Sequence, residues 1–195
     1  MRSLTKAWWL LAVCGVLEAV IAIIYFIMEN ANPLTFHRWN VTVMLLGRLT
    51  LAAGVCLIAA GIWRSFKTKA WLLALNGLVL SALGTIYIFF VGSRISFRTI
   101  ALLIILMAIT AAIPELQTAR IMWRYGAPGW LLALAGALSV GFALVFLVLG
   151  FGGLKVEPGS HRELLWLGFY FVFSAVCMLG FALRPNISRQ AINYL

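Results

Sequence analysis

Six apolar stretches separated by short polar connections run through this chain and leave few folds open to it. They lie near Ala7–Met28, Val41–Trp63, Ala70–Gly92, Phe97–Ile113, Pro128–Phe151 and Leu164–Leu183. A helix needs about 20 apolar residues to cross about 30 Å of hydrocarbon, and most of these stretches have that length. In lipid the backbone must satisfy its own hydrogen bonds, which helices do within one segment. The expected fold is an all-α membrane protein with six transmembrane helices. The fourth stretch is short, opens with Arg98 and ends at Pro114, so either Arg98 snorkels or the helix runs on past a kink.

The first stretch needs a separate check, because Arg2 and Lys6 before Trp8–Cys14 have the outline of a secretory signal. Val13 is bulky where lipoprotein processing wants a small residue, and the apolar run continues to Met28. The expectation is a retained first transmembrane helix.

The formal charge of +10 could suggest a polyanion partner, but the basic residues are scattered singly or in small groups between apolar runs. They read as topology signals, with membrane lipids as the expected partner and no nucleic acid. With the N-terminus inside, the inner segments hold Arg2, Lys6, Arg64, Lys67, Lys69, Arg120, Arg124, Arg184 and Arg189. The outer segments hold Arg38, Arg94, Arg98, Lys155 and Arg162, so both termini are expected in the cytoplasm. Trp8, Trp9, Trp63, Trp71, Trp123 and Trp130 mark the inner boundary, and Trp39 and Trp166 the outer.

The chain repeats itself. WLLAVCGVLEAVIAIIYF from Trp9, WLLALNGLVLSALGTIYIF from Trp71 and WLLALAGALSVGFALVFL from Trp130 share Trp-Leu-Leu-Ala and a glycine six residues on: Gly15, Gly77 and Gly136. The tryptophans are 62 and then 59 residues apart, about one helical hairpin. Each unit then enters the membrane in the same direction, so three of them are related by rotation about the membrane normal. The expected organisation is one transmembrane domain: repeat 1 about 7–63, repeat 2 about 70–113, an interfacial connector 115–125, repeat 3 about 128–183, and a short tail 184–195.

Small residues mark where helices approach closely, because lipid gives apolar helices little other reason to associate. Gly47, Gly54 and Gly61 recur at sevenfold spacing, as do Gly168, Ala175 and Ala182, while Ala12, Gly15, Ala19 and Ala22 share a face. Packing within one subunit is the main reading, and a homo-oligomer contact or a membrane-protein partner the alternative.

The repeated hairpins, and especially the stretch from Arg120 through Ala-Pro-Gly-Trp130-Leu-Leu-Ala-Leu-Ala-Gly136, resemble the HdeD-like acid-resistance membrane proteins, small bacterial inner-membrane proteins built from a short repeat of unknown function. The likeness runs from about Trp8 to Leu183. It implies a six-helix inner-membrane protein linked to survival under acid or envelope stress, and it transfers no catalytic residues.

Two charges fall inside spans: Glu18, ten residues beyond Trp8, and Arg48, several residues into the second span. Ionisable groups at such depth normally face the bundle interior with a partner. Glu18 is therefore a candidate proton-responsive or substrate-contacting carboxylate balanced by Arg48. The competing reading is a structural ion pair between the first two helices, or Arg48 reaching outward to headgroups. The positions matching Glu18 in the other repeats are Leu80 and Ser139. Arg120 and Arg124, opposite Leu116, Ala119 and Trp123, are candidate headgroup contacts of the connector.

Catalysis finds little support. There is no aspartate, and the acids are Glu18, Glu29, Glu115, Glu157 and Glu163. Cys14, Cys56 and Cys177 lie inside apolar runs, while His37 and His161 sit in connections without Cys or Asp neighbours, so no metal or cofactor is expected. The functional expectation is a non-enzymatic membrane protein of envelope stress. The alternative is a small oligomeric transporter or channel component with Glu18 and Arg48 near its pathway.

Overall fold

The computed structural model describes residues 8–30, 36–65, 71–89, 97–124, 130–152 and 161–192. Among these residues there are six helices: α1 (Trp8–Asn30), α2 (Phe36–Ser65), α3 (Trp71–Phe89), α4 (Phe97–Arg124), α5 (Trp130–Phe151) and α6 (His161–Ile192). Each is long and apolar enough to cross a membrane. The protein is a multi-spanning membrane protein.

The face each helix turns outward shows which solvent shaped it. On α1, Leu11, Cys14, Glu18, Ile21, Tyr25 and Met28 are buried, and Val13, Val16, Val20, Ile23 and Ile27 alternate with them on the exposed side. The exposed face is as apolar as the buried one and contains less that is polar. A water-facing helix would reverse this, so the surrounding medium is lipid.

Helix ends depart from the hydropathic boundaries. α2 begins at Phe36, before the expected Val41, and α6 continues through Pro185 to Ile192, where a tail from residue 184 was expected. α4 likewise passes Pro114 and ends at Arg124, so the segment read as a connector is continuous with the fourth helix. Hydropathy marks where lipid ends, whereas a helix stops only where its backbone is better satisfied another way.

The chain divides into two compact units, Met1–Gly92 with His161–Leu195, and Ser93–Ser160. In the first, α2 packs along α3, α1 packs along α6, and α1 also meets α2. In the second, α4 packs along α5. The most extensive packing thus pairs α2 with α3, α1 with α6 and α4 with α5, each across a boundary of the sequence repeats.

Glycine explains the α2–α3 pairing. A methyl on Gly47 would meet the Gly84 carbonyl oxygen at 3.0 Å, one on Gly54 the Gly77 carbonyl oxygen at 2.7 Å, and one on Gly61 the Ala74 amide nitrogen at 2.5 Å. At three successive points along this crossing the α2 glycines lie against the backbone of α3, an approach that a side chain in their place would prevent. Gly168 on α6 seats the Phe26 ring of α1, whose atoms a Cβ would meet at 3.0 Å.

Candidate functional site

Glu18 sits on the buried face of α1, ten residues or about 15 Å along the helix from Trp8, and is only 1% exposed. The Cys14 thiol, one turn earlier, donates to its Oε1 at 3.6 Å and also lies 3.7 Å from the Ala53 carbonyl oxygen of α2. A thiol is a weak donor, and this one divides its proton between two acceptors. Ser174 of α6 stands beside the carboxyl, yet Oε2 has no hydrogen-bond partner. Groups of α1 and α6 therefore meet a carboxyl that they leave incompletely satisfied, and α2 reaches the cluster through the Cys14 thiol.

Arg48 is elsewhere. It is exposed on α2, with Nη2 4.0 Å from Met44 Sδ one turn back, and no ion pair joins it to Glu18 among the described residues. Depth along the helices was compatible with a pair, but α2 turns its glycine stripe toward α3 and Arg48 away from the interior. The guanidinium follows the lipid-facing surface, as a snorkelling side chain does.

One to two turns further along the same face, Tyr25 of α1 and Tyr87 of α3 share a hydrogen bond of 2.8 Å between their hydroxyls. Phe171 stacks on Tyr25 with ring centroids 5.6 Å apart and planes inclined by 18°. Glu163, in the first turn of α6 and buried, is close enough to act electrostatically on both phenols. These tyrosines were not singled out from sequence. The signal was present, since each stands 16 residues after its repeat tryptophan, where the third repeat has the buried Phe146. Removing one hydroxyl takes from the other its hydrogen-bond partner in a buried site. Tyr25→Phe should cost about 1–2 kcal/mol in a chemical unfolding measurement, and adding Tyr87→Phe should cost little more.

In the second unit, Glu115 is 3% exposed within α4, and Ser139 of α5, itself buried, donates to its Oε2 at 3.1 Å. Glu115 belongs to the helix interior and not to a surface segment. The glycines singled out from sequence all approach another helix closely, among them Gly15 against Leu179 and the Ala175 carbonyl of α6, and Gly136 against Leu116 of α4. Arg120 is exposed on α4, while the Arg124 side chain, Glu157, and the connections at 31–35, 66–70, 90–96, 125–129 and 153–160 lie outside the described residues. Compared with known proteins, the chain matches no family model, no curated protein and no solved structure.

Proposed function

We propose that this is a non-enzymatic, multi-pass protein of the bacterial inner membrane, with both termini cytoplasmic, that contributes to acid or envelope-stress tolerance through Glu18. The orientation draws on the excess of basic residues and tryptophans assigned to the inner side. The three-hairpin arrangement about the membrane normal belongs to the same proposal. It is supported by Gly15, Gly77 and Gly136, each of which approaches a neighbouring helix closely.

The observation that carries the reading is Glu18 itself: a carboxyl at 1% exposure with one oxygen unpartnered. Packing does not require an acid there, because the matching position in the second repeat is Leu80, buried completely. An ionisable group at that depth is expensive, and one that has no ion-pair partner among the described residues and is not needed for packing has a use beyond the fold. Exchanging a proton is the chemistry a carboxyl beside a thiol and a hydroxyl can perform.

A deletion strain complemented with wild-type protein or Glu18→Gln tests this. Equal membrane abundance with survival at low pH falling at least tenfold for Glu18→Gln is the expected result, and equal survival removes the reading. The polar groups Tyr25, Tyr87 and Glu163, gathered further along the same unit, favour a second reading as an oligomeric transporter or channel component. Proton or solute flux in liposomes that Glu18→Gln abolishes would select it.

A further inference from the structure

We propose that Glu115 with Ser139 is a second proton-exchanging site, the counterpart in the repeat of Glu18 with Ser174, with the acid and the hydroxyl exchanged between the two helices. This deepens the reading of Glu18 above and rests on it.

The correspondence can be followed residue by residue. Glu18 and Ser139 occupy the same repeat position, nine residues after Trp9 and Trp130. Three residues before each stands the shared glycine at its closest approach to a partner helix. A Cβ on Gly15 would meet Leu179 Cγ at 2.8 Å and the Ala175 carbonyl oxygen at 3.2 Å. One on Gly136 would meet Leu116 Cγ at 2.6 Å and Glu115 Cβ at 3.4 Å. Ser174 directly precedes Ala175, and Glu115 directly precedes Leu116. One acid and one serine therefore lie close to the shared glycine in both crossings: acid on α1 and serine on α6, or serine on α5 and acid on α4.

The crossing of α2 with α3 has the same glycine, Gly77, but carries Leu80 and Ser81 and no acid, and the Ser81 hydroxyl is buried without a partner. This third crossing packs backbone against backbone. A crossing of this kind does not need a carboxyl to form, which argues for the use of the acids in the other two.

Glu18 is faced by Cys14 on its own helix and by Ser174 on α6, and Cys14 in turn meets the Ala53 carbonyl oxygen of α2, with Cys56 nearby. Glu115 is faced from α5 by Ser139, and α5 carries no titratable side chain. Its own helix bears Arg120 more than one turn on, exposed. Each site can take up or give up one proton at a carboxyl oxygen, with the serine hydroxyl turning as donor or acceptor to suit.

Infrared difference spectroscopy across a pH titration reads this directly, using full-length protein in vesicles of phosphatidylethanolamine and phosphatidylglycerol. Glutamate labelled with carbon-13 identifies the carboxyl bands. Two bands that titrate are expected from the buried acids, one lost in Glu18→Gln and the other in Glu115→Gln. Ser139→Ala should shift the Glu115 band in frequency and leave the Glu18 band unchanged, which keeps the test decisive where Glu115→Gln does not accumulate. A wild-type titrating spectrum that neither Glu115→Gln nor Ser139→Ala alters overturns the proposal. Failure of the stress reading looks different: both bands present and assigned, with cell survival indifferent to Glu18→Gln.

Discussion

Gly54→Ala should destabilise the protein by about 3 kcal/mol, the upper end of what overpacking costs, although it adds a single methyl group. The new Cβ would lie 2.6 Å from the Ser81 amide nitrogen and 2.7 Å from the Gly77 carbonyl oxygen. Both atoms are backbone of α3, so no rotamer change relieves the clash and the helices must move apart. Gly77→Ala meets the same obstacle from the other side, with Ile58 N at 2.6 Å and Gly54 O at 2.7 Å. Because both methyls force one separation, the double variant should cost much less than the sum of the two. Gly141→Ala is the control, since a Cβ there meets nothing within 4 Å, and it should stay within about 0.5 kcal/mol of wild type. Reversible unfolding in mixed detergent micelles measures all four, and Gly54→Ala as stable as Gly141→Ala would refute the close crossing.

Glu18→Met should move stability the other way while removing function. Methionine is similar in length to glutamate, flexible enough to fill the space, and brings no polar oxygen to be satisfied. Deleting a buried acceptor that lacks a partner should raise stability by about 1–3 kcal/mol, seen as a higher melting temperature in detergent. Survival at low pH should fall at least as far as in Glu18→Gln. A more stable protein that no longer protects is the signature of an acid kept for use at the expense of the fold. A Glu18→Met protein that melts earlier than wild type would show instead that the carboxyl supports the structure.

Much of the fold can be read from the sequence because lipid imposes a simple rule. A run of about 20 apolar residues has one stable conformation in hydrocarbon, and the tryptophans place its ends. The pairing of helices is harder to read, since chain order favours neighbours in a hairpin while side-chain volume decides which faces fit. Gly47, Gly54 and Gly61 marked a close approach, yet nothing in α2 alone says whether it is made with α1 or with α3. The site divides similarly. Glu18 stands out because any acid in an apolar run does. Glu115 was hidden because it follows Pro114 at the edge of its stretch, where hydropathy falls although the helix and its burial continue. Arg48 misled because depth along a helix can be counted from sequence, whereas azimuth depends on where each helix turns its smallest residues.

The packing of α1 along α6 sets a timetable for assembly. The ribosome releases α1 first and α6 last, with residues 31–160 between them, so at usual translation rates α1 waits on the order of ten seconds for that neighbour. Until then α2 can cover one side of Glu18, but Ser174 and the ring of Phe171 have not been made. A chain that stops short of α6 leaves Glu18 without Ser174 and Tyr25 without the ring that stacks on it. Completion of the last helix is therefore the step that commits the first to its place.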